Sequence, residues 1–490
     1  MLHSFKKIKT VIHRMICTAV YFSSFFGNLH TETFSDLKSD DLYQSDFGRK
    51  IIQDSFRSDS AAGKAVSFSE NFSLKNANYI RSRYFTQKGG ERKDNSEKYG
   101  IFGTASPELY LSYDKGERKA YFLYSPLIYY NETYNLEKKV SSPVFHEILA
   151  GYSDSFGLLK TKVQAGQGLY RLDSYGFLFS GPAGFADLSL RISSLPFSLS
   201  FQNLVLNRRS GTLYRSADSE AGGAVLKKDK DAYFKSFQMM YFIYREFRNQ
   251  TYTGFFPEDK KEFLPEGNFR YAGIELNSER FFRSEISTGA FTVKGKRDFR
   301  ETDFNAHSVR KTDAYLGYLC LDFFFTERLS ARAGGLRTSK DRNSRTDRRS
   351  NGFAGILSDP GIFGGHSSFL LSENISGKSP PAFRDLDSNS RPDFENKGLQ
   401  MYSVSLNYNF EKNAFTGILN RAAGFTGTGY EFIFQWKYSS MNTAYPYYLL
   451  VSFCEAFLFS REENILLFSS EKTEKRREFQ RIYFSLGTVF

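Results

Sequence analysis

Tyr430, Phe432, Phe434, Trp436 and Tyr438 alternate without a break with Glu431, Ile433, Gln435, Lys437 and Ser439. Successive side chains of an extended chain point to opposite faces, so five aromatic rings share one face of this stretch and mostly polar groups share the other. A row of exposed rings is rarely tolerable in water. Against hydrocarbon it is expected, which makes the stretch a strand of a sheet whose outer face meets lipid.

The same period recurs along the chain. Leu109, Leu111 and Tyr113 alternate with Glu108, Tyr110 and Ser112 before a turn at Asp114-Lys115-Gly116-Glu117. Leu188, Leu190 and Ile192 alternate with Asp187, Ser189 and Arg191, and after Ser194-Leu195-Pro196 the pattern resumes at Phe197, Leu199 and Phe201. Tyr402, Val404, Leu406, Tyr408 and Phe410 alternate with Ser403, Ser405, Asn407 and Asn409 before Glu411-Lys412-Asn413. Short turns, including residues 359–363, take turns with longer polar connections at 88–98, 130–142, 208–230, 294–311, 339–350, 373–397 and 461–477. Membrane barrels sort their loops in this way, short at one rim and long at the other. The pattern predicts an all-β fold, a transmembrane antiparallel up-and-down β-barrel of about 18–20 strands, with 16 within range. Three places fit less well: residues 233–244 are apolar on both faces, the alternation slips at 202–206 as at a bulge, and Glu455 falls on an apolar face.

Composition agrees. The chain has 52 Phe and 31 Tyr among 490 residues, yet its mean hydropathy is -0.45. Strands that alternate between lipid and lumen average out polar, and the aromatics are expected in girdles at the two membrane interfaces. No run of eighteen apolar residues follows the N-terminus, so any membrane crossing is made by strands, and a closed barrel is the way strands satisfy their backbone in lipid. The net charge of +12 comes from 66 basic and 54 acidic residues that are interspersed, without the compact stripe that would point to nucleic acid. Of the three cysteines, Cys320 and Cys454 lie outside the leader and are expected to be free thiols.

The last thirteen residues form a strand with Gln480, Ile482, Phe484, Leu486, Thr488 and Phe490 on one face. A terminal aromatic preceded by alternating apolar residues resembles the closing-strand signal of bacterial outer-membrane β-barrels of the porin-like class. The resemblance implies a cell outer-membrane location in a Gram-negative-type envelope, with Ile482, Phe484, Leu486 and Phe490 read by the barrel-insertion machinery. Residues 1–27, with Lys6, Lys7, Lys9 and Arg14 before an apolar run, fit a signal peptide. Residues 28–75 are expected to be a periplasmic arm or small plug, and residues 76–490 the barrel.

Nothing catalytic emerges, and no metal or cofactor is implied. His30, His146, His307 and His366 have no partner at metal-ligand or catalytic spacing, and Gly365-His366-Ser367-Ser368, taken as part of a strand, offers only adjacency. The informative set is the face opposite the apolar one: Glu108, Lys160, Lys162, Asp187, Arg191, Asp322, Arg332, Glu431 and Lys437 are expected to face the lumen. Tyr402, Val404, Leu406, Tyr408, Phe410, Tyr430, Phe432, Phe434, Trp436 and Tyr438 are expected to face lipid. A lumen carrying both signs of charge should hold water, and a barrel this wide needs an inserted segment if it is to be closed. Three functions follow: a channel for small hydrophilic solutes, a surface barrel whose long loops bind ligands, and a carrier of hydrophobic solutes, the last prompted by Leu316 and Ile433 on polar faces.

Overall fold

The structure, a computed structural model, describes residues 66–69, 72–90, 97–134, 144–206, 219–228, 234–247, 250–252, 261–263, 266–300, 307–341, 349–358, 360–371, 392, 394, 398–424, 427–440, 447–461 and 474–489. The predicted signal peptide, most of the arm, and Phe490 lie outside the described residues.

The strands are β1 (Val66–Ser69), β2 (Phe72–Gly90), β3 (Glu97–Lys115), β4 (Arg118–Tyr134), β5 (Val144–Phe156), β6 (Leu159–Arg171), β7 (Ser180–Ile192), β8 (Phe197–Leu206), β9 (Ser219–Lys228), β10 (Phe234–Glu246), β11 (Gln250–Tyr252), β12 (Lys261–Phe263), β13 (Glu266–Ser278), β14 (Ser284–Arg300), β15 (His307–Phe324), β16 (Leu329–Thr338), β17 (Gln400–Phe410), β18 (Asn413–Gly424), β19 (Gly427–Ser440), β20 (Tyr447–Arg461) and β21 (Glu474–Val489). All but β11 and β12 belong to one 19-stranded sheet. Within it β1 lies beside β2, and the remaining eighteen strands close on themselves, because β2 pairs with β3 on one side and with β21 on the other. The closing ladder runs from Tyr79 opposite Val489 to Gly90 opposite Glu478, antiparallel like every other neighbouring pair. Closure leaves no exposed edge in the ring, so each of its eighteen strands finds backbone partners on both sides.

The outward face is the apolar one. Tyr402, Val404, Leu406, Tyr408 and Phe410 on β17 are exposed while Met401, Ser403 and Ser405 between them are buried. On β19, Tyr430, Phe432 and Phe434 are exposed and Glu431, Ile433 and Lys437 are buried, with Trp436 and Tyr438 half-buried. Strands are joined at one end by short connections, 116–117, 157–158, 193–196, 325–328 and 411–412 among them. At the other end the connections include 135–143, 207–218, 247–265, 339–399 and 462–473, while 91–96, 301–306 and 425–426 are shorter.

The interior departs from the expected water-filled tube. Phe177, Phe179, Phe242, Tyr244, Phe269, Tyr271, Phe291, Phe353 and Phe394 are fully buried in one apolar core inside the barrel. Many of the aromatic residues therefore fill the lumen and do not belong to interfacial girdles. This core also accounts for two anomalies of the sequence. Residues 202–206 form no bulge: β8 keeps continuous register with β7 and β9, and Leu204 and Leu206 point inward because the lumen beside them is apolar. In β10, Phe242 and Tyr244 enter the core while Met239 and Tyr241 face out. Glu455 does lie on the outward face, opposite Phe432, where Gln480 donates to its Oε1 at 3.3 Å.

Two expected loops are corrected as well. Residues 208–230 contain β9, and residues 339–399 are one connection, with no strand pair turning at 359–363. Residues 360–363 lack the alternation that separates lipid from lumen because both sides of this segment meet protein.

Candidate functional site

The described residues of the 339–399 connection fold into the barrel. Leu357 forms a parallel bridge with Phe179 and its carbonyl accepts the N–H of Ser180, the first residue of β7, at 2.8 Å, and Ser358 Oγ donates to the carbonyl of Phe177 at 2.6 Å. Tyr271 on β13 donates its hydroxyl to the Ala354 carbonyl at 3.1 Å, and Asn420 on β18 donates Nδ2 to the Phe363 carbonyl at 2.9 Å. A segment that touches β7, β13 and β18 of one closed barrel crosses its lumen. The chain turns through Phe363, Gly364 and Gly365, all with positive φ. Gly364 suits the turn because its φ of 98° is one that L side chains rarely adopt, and a Cβ there would press on the end of the Ile433 side chain.

Glu431 is the main wall anchor. Its Oε2 accepts the backbone N–H groups of Phe369 at 2.9 Å and Leu370 at 3.0 Å, and Oε1 accepts the Ser368 hydroxyl and Asn420 Nδ2. Residues 369–371 are helical, so this carboxylate from a neighbouring strand satisfies N–H groups left open at a helix start. Arg481 on β21 places its guanidinium 5.4 Å from the Phe369 ring and donates to the Ser368 carbonyl at 3.4 Å. Phe369 also stacks on Phe479, with ring centroids 4.1 Å apart. Ser367 and Ser368, taken in the sequence as strand neighbours, lie in and just after a 3-10 turn, Gly365–Ser367, and are committed to Gln435 and Glu431.

A second anchor holds the far end. Arg297 on β14 donates Nε to Glu246 at 2.8 Å and Nη2 to the other carboxylate oxygen, and Nη2 also donates to the Pro392 carbonyl at 2.9 Å. Phe394 packs on Phe269 at 4.7 Å beneath the same guanidinium.

The 172–179 connection folds in beside the longer one. The Asp173 carboxylate accepts from the N–H groups of Phe177 at 2.6 Å, Leu178 at 2.8 Å and Phe179 at 3.2 Å. Ser174 N–H donates to Glu275 on β13 at 2.9 Å, and Glu275 also receives the Tyr318 hydroxyl at 2.8 Å and Gln238 Nε2. Burial and, next, the charge of Glu275 raise the Asp173 carboxyl above the ordinary carboxylate range. Strands far apart around the wall are thus tied to one luminal plug of backbone and aromatic side chains.

Between this plug and the short-turn end lies a cavity of about 300 Å³, lined by Asp322, Arg332, Lys437 and a set of Ser, Asn, Thr and Gln side chains. Asp322 and Arg332 are register partners on β15 and β16, joined by two bonds of 2.7 and 3.1 Å. On the other side of the barrel Lys160, Lys162 and Arg191 are exposed, Lys160 standing opposite Arg191 across the β6–β7 ladder, and Asp187 accepts Gln164 Nε2 at 3.2 Å. Glu108 is on β3, with its side chain outside the described residues. Ile482 is exposed and Phe484 and Leu486 half-buried on β21. Cys320 and Cys454 are buried free thiols, the latter 3.8 Å from Glu431 Oε2.

Sequence reasoning singled out Glu431 but not its partners. Ser368 was named only for its adjacency to His366, and Asp173, Glu275, Arg297 and Glu246 were missed, since partners stand 101 positions apart in the case of Ser174–Glu275 and 51 in the case of Arg297–Glu246. Only Asp173, three residues before Gly176, carried a local turn signal.

No family model and no curated protein matches the chain. Among solved structures it is similar to Pseudomonas aeruginosa OccK9 (OpdG), at 9% identity and a TM-score of 0.49 over 85% of this chain and 98% of that one. It is also similar to OccK5 (OpdH) of the same organism, at 10% identity and a TM-score of 0.46 over 87% of this chain and 100% of that one. OccK2 (OpdF) gives 12% identity and a TM-score of 0.46 over 85% and 98%. The closed antiparallel barrel, its apolar outer face and its loops sorted by length give this chain the architecture of a β-barrel that spans a membrane.

Proposed function

We propose that the protein is an outer-membrane channel for small hydrophilic solutes, narrowed by the 339–399 connection. The observation that carries the reading is the contrast between the two halves of the lumen. The half toward the long loops is packed by the plug, whereas the half toward the short turns has a wall of charged and polar side chains around open space. Such a wall holds water, and the fixed charges on its β6–β7 side set selectivity. Lys160, Lys162 and Arg191 make one side basic, and the ion preference expected is for anions. Nine of the candidate residues enter here as a proposed luminal set: Glu108, Lys160, Lys162, Asp187, Arg191, Asp322, Arg332, Glu431 and Lys437. The aromatic and aliphatic outward residues, Tyr402 to Phe410 and Tyr430 to Tyr438 at alternate positions, form the proposed lipid contact.

Single-channel recording of the refolded protein in a planar bilayer, with a salt gradient, tests this. Stable steps with an anion-selective reversal potential are expected. Persistent silence from demonstrably inserted protein would mean that the plug closes the lumen, and general diffusion would be abandoned.

A further inference from the structure

We propose that the cavity beneath the plug binds neutral polyhydroxylated solutes, molecules of the sugar or sugar-alcohol class; the proposal rests on the channel reading and names its solute. At about 300 Å³ the cavity is at the lower end of pockets that hold a small molecule. Its charges are not offered to a ligand. Asp322 and Arg332 neutralise each other through a bidentate pair, and Lys437 is only 2% exposed. An entering ion would therefore meet no uncompensated counter-charge at this wall.

What the wall does offer is a grid of hydroxyl and amide groups. Ser403, Ser405, Asn407 and Asn409 follow one another at alternate positions of β17, so their side chains stand in a column spaced by about 7 Å. Register places Ser330 and Thr416 on either side of Asn407, and Gln435 beyond Thr416. Thr416 Oγ1 donates to Asn407 Oδ1 at 2.8 Å, which orients the Asn407 amide N–H groups as donors. Gln435 Nε2 is spent on Ser367, which leaves its carbonyl as an acceptor.

Hydroxyls and carboxamides both donate and accept, and so does every hydroxyl of a polyol; carboxylates only accept and ammonium groups only donate. A wall built from the two-way groups matches a solute that carries one such group on each carbon. Phe363 at the roof and Phe324 at the mouth supply apolar surface for the C–H face of the same molecule.

The test uses the full-length protein refolded in detergent and in planar bilayers, with glucose and sorbitol as probes and gluconate as the charged control. Sugar is expected to interrupt the single-channel current with a saturable concentration dependence. The double variant Asn407→Leu, Thr416→Val should weaken that block by about tenfold, the loss of roughly one net hydrogen bond. Heat-modifiable gel migration of each variant establishes that the barrel is folded. Titration calorimetry in detergent measures binding whether or not the pore conducts. Silent bilayers with calorimetric sugar binding that the double variant loses would sink the channel reading and support the site. A block that rises linearly with concentration, equal affinity for gluconate, or binding untouched by the double variant would overturn the proposal.

Discussion

Glu431 on strand β19 accepts the backbone N–H of Leu370 at 3.0 Å, joining the barrel wall to a luminal segment 61 positions earlier in the chain. The same carboxylate takes the N–H of Phe369, the Ser368 hydroxyl and an Asn420 amide, so one side chain gathers four donors in a site that is 2% exposed. Such a group holds a plug in place more firmly than its length suggests, because each donor left without an acceptor costs about 1–3 kcal/mol when buried. Replacing Glu431 by Ala should therefore loosen the 365–371 segment without opening the barrel. The expected readout is a larger or flickering single-channel conductance with unchanged heat-modifiability; an unaltered current trace would remove Glu431 from this role.

Arg297 and Glu246 form the second tether. Breaking a buried pair from one side strands a charge, at a cost of about 3–5 kcal/mol, whereas removing both members is often nearly neutral. Arg297→Met should lower the denaturant midpoint clearly, and adding Glu246→Gln should restore most of it. Urea unfolding of the two single variants and the double variant measures the coupling; simple additivity would show that the pair does not act as a unit.

Asp173 makes loop stability depend on pH. Its folded carboxyl is raised, by burial and by the charge of Glu275. For a group raised in the folded state, the stabilising contribution is complete below the unfolded value of about 4 and is lost as pH rises through the folded value. The thermal midpoint should therefore fall as pH rises from about 4 toward neutrality. Asp173→Asn, which cannot ionise, should flatten that dependence. A pH profile identical to the parent's would exclude Asp173 as its source.

The two faces of β17 respond oppositely to charge. Leu406 is 52% exposed on the apolar face, and Leu406→Arg should cost about 2–4 kcal/mol if it meets the bilayer midplane. Asn407→Arg, one position on, should cost little because it meets water. Folding into lipid vesicles followed across urea concentration compares them, and equal costs would place both residues in one environment.

The basic side of the lumen should set ion preference. Lys160→Glu together with Arg191→Glu reverses the charge at two facing positions of the β6–β7 ladder. The reversal potential in a salt gradient is expected to move toward cation selectivity, and no movement would locate the selectivity elsewhere.

Much of the barrel was legible in order of sequence. The strict alternation from Tyr430 to Ser439 and from Tyr402 to Phe410 determined which side chains share a face, because the period of a strand is a local property of the backbone. The contrast of short turns with long connections determined that the strands run up and down, and the count of 18 lay within the expected range. What the tertiary structure alone decided is the content of the lumen. Leu204, Phe242 and Phe291 occupy inward positions, and they are buried in one core with residues of the 172–179 and 339–399 connections. The anchors have the same origin. Glu431 with Leu370, Arg297 with Glu246 and Glu275 with Ser174 meet because closure brings distant strands around a common axis, and no local pattern encodes a contact whose partner is set by the circumference of a closed sheet.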